Sequence, residues 1–148
     1  MIYLKDFNES FRAPSSFREE IQEFCENCLA YLIDDDFSIE TNLYGLDPVS
    51  VSFVLIRRFS GEVEPILFSW GDVKDYYIPF LQMLQRKYNV INSSKAPSSI
   101  TNSEVQIVIK TSEHGLSDSV YYTLYEVLED KINPYDKIVF IKILITEK

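Results

Sequence analysis

Cys25 and Cys28 are the only cysteines, and their spacing is one that redox pairs and zinc sites use. A redox pair places its attacking thiol at a helix N-terminus, where the dipole lowers the thiol pKa. Here both thiols fall inside an apolar stripe, Phe17, Ile21, Phe24, Cys25, Cys28, Leu29 and Leu32. A structural zinc site needs four ligands, and the chain adds only one histidine. The pair therefore reads as core packing. Asp34-Asp35-Asp36 is a second candidate. It sits where a helix should end, and negative charge is unfavourable at that end. A solvated turn explains it; a divalent-metal site would need more oxygens, from Asp72 or Asp75. His114 lies in Ser112-Glu113-His114-Gly115, with Ser117 nearby. A catalytic base needs an oriented partner and a nucleophile in reach, so this reads as an exposed loop residue. Gly45, Gly61, Gly71 and Gly115 are isolated, so no glycine-rich phosphate loop exists.

Two sets of residues point to binding instead. Arg57-Arg58 could hold a phosphate or carboxylate, although surface charge is the simpler reading. The aromatic residues Trp70, Tyr76, Tyr77, Phe80, Tyr88, Tyr121, Tyr122 and Tyr125 form the other set. Tyr76-Tyr77 and Tyr121-Tyr122 are both expected on helices. Helix neighbours diverge by about 100 degrees, so some of these rings must reach solvent. Tyrosine has an apolar body and a polar tip, which suits interfaces.

The chain has 148 residues, with 14 Lys+Arg against 23 Asp+Glu and a net charge of −9. That length suits one domain able to bury about 70% of its extended surface. Hydrophobic residues make up 46% and aromatics 14%, which excludes disorder throughout. The acidic balance disfavours direct binding to nucleic acid or to an anionic membrane. No apolar run approaches a membrane span. The first ten residues lack the apolar stretch of a signal peptide, so a reducing, cytoplasmic compartment with free thiols is expected.

The patterning predicts the elements that must position these residues. Residues 1–14 read as an arm before a single domain over 15–148. The apolar stripe predicts a helix over 16–33, with Ser16 and Glu19 as its capping box. Alternation predicts strands over 37–43, Val49–Phe59 and Ile66–Trp70, joined as an antiparallel meander. Residues 72–88 read as a second helix, capped by Ser69 or Asp72. Pro79 should kink it or split it in two. Residues 92–103 read as a polar loop, and 104–111 as a strand. A third helix should follow at Val120–Ile132, capped by Ser117 or Asp118. The final strand, Lys137–Thr146, is apolar on both faces and belongs at the centre of the sheet. The predicted class is α+β, in the order α-β-β-β-α-β-α-β. The sheet would have about five strands and be mixed, its C-terminal end forming one βαβ crossover.

The opening Met1-Ile2-Tyr3-Leu4-Lys5-Asp6-Phe7-Asn8-Glu9-Ser10 resembles the N-terminal leader of small proteins of large tailed bacteriophages. The segment Phe68-Ser69-Trp70-Gly71-Asp72-Val73-Lys74-Asp75-Tyr76-Tyr77-Ile78-Pro79-Phe80-Leu81 resembles a pattern in uncharacterised accessory proteins of such phages. The resemblance implies host cytoplasm or virion interior, with the leader cut after Glu9. Phe7 departs from the aliphatic residue usual two positions before such a cut.

Together these readings favour a non-catalytic accessory protein that binds a host or viral protein, using no cofactor. Host-factor or defence inhibition, including mimicry of DNA charge, is one version. Arg57, Arg58, Trp70, Tyr76, Tyr77, Tyr121 and Tyr122 are its candidate binding residues. One alternative is a protein that sequesters a nucleotide-like ligand through the arginines and stacked aromatics. The other is a metal-dependent hydrolase built on Asp34, Asp35 and Asp36.

Overall fold

A computed structural model describes residues 13–46, 48–59, 61–91, 104–111 and 115–148. The predicted arm, the polar loop at 92–103 and His114 lie almost wholly or wholly outside them.

Pro14 begins the first helix, two residues earlier than expected. Helix α1 spans Pro14–Cys28 with Ala13 as N-cap. Proline lacks the amide that a first-turn residue would leave unpaired anyway, and its fixed φ suits the helix start. Ser16 therefore sits inside the first turn, and the predicted Ser16–Glu19 capping box does not form. Leu29, at φ −112° and ψ 25°, interrupts the expected single helix, and α2 resumes over Ala30–Asp34. The stripe survives the break: Phe17, Ile21, Cys25, Leu29 and Leu32 are all buried.

Strands β1, Phe37–Leu46, and β2, Val49–Arg57, form an antiparallel hairpin. A register shift falls between Leu43 and Gly45. A Cβ on Gly45 would lie 2.9 Å from Ser50 Oγ, so a larger residue there would have to push that hydroxyl aside.

The expected third strand does not form. Phe68 makes a single antiparallel bridge with Ile138, and Trp70 already begins helix α3, Trp70–Lys87. The Asp72 carboxylate accepts the Ser69 backbone N–H at 2.9 Å, closing the N-terminus as expected. Pro79 does not divide α3 into two helices. It lies on the exposed side, where water can reach the carbonyl it leaves unpaired.

Strand β3, Tyr88–Ile91, follows α3 directly, then β4, Glu104–Lys110. Both pair antiparallel with the same edge of β6, Ile138–Glu147: Ile91 is opposite Leu144 and Gln106 opposite Lys142. The chain thus leaves one strand line and returns to it two residues further along β6.

The third predicted helix is corrected most. Residues Ser117–Thr123 form strand β5, paired antiparallel with β4. Only Leu124–Leu128 is helical, as α4. Its capping box is Thr123 and Glu126, at 3.1 and 3.0 Å, instead of Ser117 or Asp118. Val120-Tyr121-Tyr122-Thr123 is β-branched and aromatic, and the ladder with β4 prevails over its weak helical stripe.

The fold is α+β with a six-stranded sheet in the order β1-β2-β6-β4-β5, β3 also lying against β6. Among the described residues every pairing is antiparallel, so the expected mixed sheet with a βαβ crossover is corrected to an antiparallel one. The final strand is central, as its sequence predicts. Ile141, Ile143 and Ile145 join the core under the helices, while Leu144 is buried on the other side. Beneath the helices the core is rich in rings. Phe24, Phe53, Tyr77 and Tyr88 each lie within 5.3–6.4 Å of Phe80 or Phe24. Such pairs add about 0.5–1.5 kcal/mol each beyond the area they bury.

Candidate binding surface

The predicted binding residues do not gather in one place. Arg57 ends β2 at the open end of the β1–β2 hairpin, Arg58 follows it, and each already faces an acid. Arg57 Nη2 lies 3.5 Å from Asp35 Oδ1, with its guanidinium 5.2 Å above the Phe37 ring. Arg58 Nη1 lies 2.7 Å from Glu40 Oε1. These carboxylates compete with any external phosphate.

Trp70 is buried, and its ring serves the core. Its Nε1 donates to Asp130 Oδ1 at 2.6 Å, and Lys74 Nζ reaches Asp130 Oδ2 at 3.1 Å. Asp130 adopts φ 60°, a conformation that aspartate accepts more readily than most residues. The Trp70 hydrogen bond, helped by Lys74, holds the Asp130 carboxyl below its ordinary range.

The adjacent tyrosine pairs divide as expected, though only one pair is helical. On α3, Tyr77 is buried and Tyr76 is 42% exposed. On β5, Tyr121 is exposed and Tyr122 half-buried, because strand neighbours alternate between faces. Burial pushes the Tyr77 phenol far up, with Cys25 adding to the shift, and its hydroxyl has no hydrogen-bond partner among the described residues. Tyr122 instead accepts the Asn133 backbone N–H through its hydroxyl at 3.4 Å. Tyr125 is exposed, and its hydrogen bond to Glu129 raises its phenol.

Asp34 ends α2, Asp35 pairs with Arg57, and Asp36 turns the chain at φ 66°. The Asp36 carbonyl then accepts the Arg58 amide at 3.0 Å. Thus the aspartate run builds the helix-to-strand turn. Among the described residues, no three His, Cys, Asp or Glu side chains come together where they could hold a metal ion. Cys25 and Cys28 are free thiols, Cys25 buried in the core.

An open cleft of about 210 Å³ lies between the start of α3 and the 135–137 turn. Leu67, Phe68, Ser69, Asp72, Tyr135, Asp136 and Lys137 line it. It is smaller than the roughly 300–1,000 Å³ usual for small-molecule sites.

Sequence reasoning missed three exposed tyrosines, Tyr31, Tyr44 and Tyr135, and the exposed ring of Phe59. Tyr31 had a signal: it adjoins Leu32 but falls outside the buried stripe. Its ring stacks on Tyr76, with centroids 5.7 Å apart and planes 26° apart. Comparison with protein-family models, curated proteins and solved structures found no match. Among the described residues, no helix is long and apolar enough to cross a membrane.

Proposed function

We propose that this chain works by binding a protein partner on its outer surface, as a non-catalytic accessory protein of the phage type its leader resembles. One observation carries the reading. Tyr76, Tyr44, Tyr121, Tyr125, Tyr31 and Tyr135 are each between 42% and 90% exposed, on a chain of net charge −9. Core packing accounts for none of that exposed ring area. Tyrosine is enriched where protein interfaces draw their energy. The acidic field supplies attraction to a basic partner, which in a host or viral setting includes surfaces that otherwise hold DNA. The nucleotide-sequestering reading needs arginines and stacking rings together, whereas Arg57 and Arg58 face acids and Trp70 is enclosed.

The test compares the wild type with a variant carrying alanine at the six exposed tyrosines. Each captures proteins from host extract, and the captured protein is purified and titrated in solution. The reading expects one stoichiometric complex that weakens with salt and is lost in the variant. A variant that binds as tightly as wild type overturns it, as does the absence of any titratable partner at low salt.

A further inference from the structure

We infer that the stacked pair Tyr31–Tyr76 is an arginine-recognition surface that takes a partner's guanidinium against its rings and the flanking carboxylates. This inference rests on the protein-binding reading and assigns it a place and a chemistry.

The two rings come from different helices, α2 and α3, and meet in solvent instead of in the core. Tyr31 is 74% exposed and Tyr76 42%. The stack places two exposed aromatic rings side by side, each with an apolar body and a polar tip suited to an interface. Asp34 stands one helical turn beyond Tyr31, and Asp75 immediately precedes Tyr76. Both carboxylates are exposed, and neither forms an ion pair among the described residues. The nearest cation on α3, Lys74, is already held by Asp130.

The fold contains a worked example of the same chemistry. Arg57 lies 5.2 Å above the Phe37 ring while pairing with Asp35 at 3.5 Å. There the aromatic face, the carboxylate and the arginine are all internal. Tyr31–Tyr76 presents an aromatic face with Asp34 one helical turn from Tyr31, and among the described residues no arginine pairs with Asp34 or Asp75. Arginine fits better than lysine, because its planar group stacks on a ring and engages a carboxylate with two donors at once. Lysine offers only a point charge. The occupant is therefore an arginine-bearing segment of a partner protein.

The experiment titrates the full chain with nona-arginine and with nona-lysine at about 0.15 M salt, where diffuse attraction is screened beyond about 8 Å. Amide shifts in the protein's NMR spectrum locate the contact. The inference expects shifts centred on Tyr31, Tyr76, Asp34 and Asp75, with nona-arginine several-fold tighter than nona-lysine. Tyr31→Ala with Tyr76→Ala should weaken nona-arginine about tenfold, a typical consequence of removing an interface anchor. Both positions are solvent-facing, and circular dichroism verifies that the variant is folded. Equal affinity for the two peptides overturns the inference, as do shifts centred elsewhere or an unaffected double variant. A partner captured equally well by wild type and the double variant, but lost in the six-tyrosine variant, sinks this site while the wider binding reading stands. Capture equally strong in all three sinks both.

Discussion

Trp70 and Asp130 are 60 residues apart in the chain and 2.6 Å apart in the fold. The indole N–H of the first residue of α3 is satisfied by an aspartate just beyond α4, and Lys74 completes the triad from the next turn of α3. A buried indole left without an acceptor costs about 1–3 kcal/mol. Asp130→Ala should therefore destabilise the protein by about 1–3 kcal/mol in urea unfolding, since it also places alanine at positive φ. Asp130→Asn keeps an acceptor and tolerates that φ, losing only the charge, so it should cost less than half as much. Equal losses in the two variants would show that the indole bond contributes nothing.

The same carboxylate gives a pH dependence with a definite sign. Asp130 is held below its ordinary 3.8 first by Trp70, and Glu129 below its ordinary 4.5 first by Tyr125. A folded-state carboxyl pKa below the unfolded value contributes stability above the unfolded value, and that contribution disappears as pH falls through the folded one. The melting temperature should fall below about pH 4. The gap between wild type and Asp130→Asn should narrow as pH falls from about 5 through the folded pKa, as unfolded wild type takes up the proton first. A gap that stays constant over that range rules the linkage out. Both groups are exposed, so salt should reduce the effect.

These long-range pairings also mark the limit of what the sequence makes legible. The buried stripe from Phe17 to Leu32 is visible because helical burial repeats every three or four residues, and the central strand because Ile138 to Ile145 has almost no polar face. Strand β5 is not visible in the same way. Val120, Leu124, Val127 and Leu128 fit a helical period, and only the ladder with β4 shows that the first of them belongs to a strand. The parallel crossover fails for the same reason, because strand direction is set by partners that are distant in sequence. Among the binding candidates, the rule that adjacent tyrosines diverge says that Tyr76 and Tyr77 cannot both be buried, while the fold decides that Tyr76 is the exposed one. The rule cannot reveal that Tyr31 meets Tyr76, since no local pattern joins α2 to α3.

The hairpin offers a local test. Alanine at Gly45 would place its Cβ 2.9 Å from Ser50 Oγ, and Ser50 is buried. The hydroxyl can rotate away only by giving up its present position, so Gly45→Ala should cost about 1 kcal/mol. Adding Ser50→Ala removes the clashing atom. A double-mutant cycle should then show recovery of most of that loss. If the two losses simply add, the strain lies elsewhere in the bulge.

The last prediction concerns a group that the fold tolerates without using. Tyr77 is fully buried among Trp70, Phe80 and Cys25, and its hydroxyl has no hydrogen-bond partner among the described residues. An unpaired buried hydroxyl costs free energy, while the ring itself fills the core. Tyr77→Phe keeps the ring and removes the unpaired group, so it should be neutral or up to about 1 kcal/mol more stable at pH 7. Tyr77→Ala should cost about 3–5 kcal/mol because it leaves a cavity. The phenol also sets an alkaline limit. Its folded pKa is raised above the ordinary 10.0, so its contribution is fully present below that pH and is lost as the pH climbs toward the folded value. Wild type should thus lose stability above about pH 10 more steeply than Tyr77→Phe. A Phe variant that is clearly less stable at neutral pH would mean that the hydroxyl has an acceptor after all.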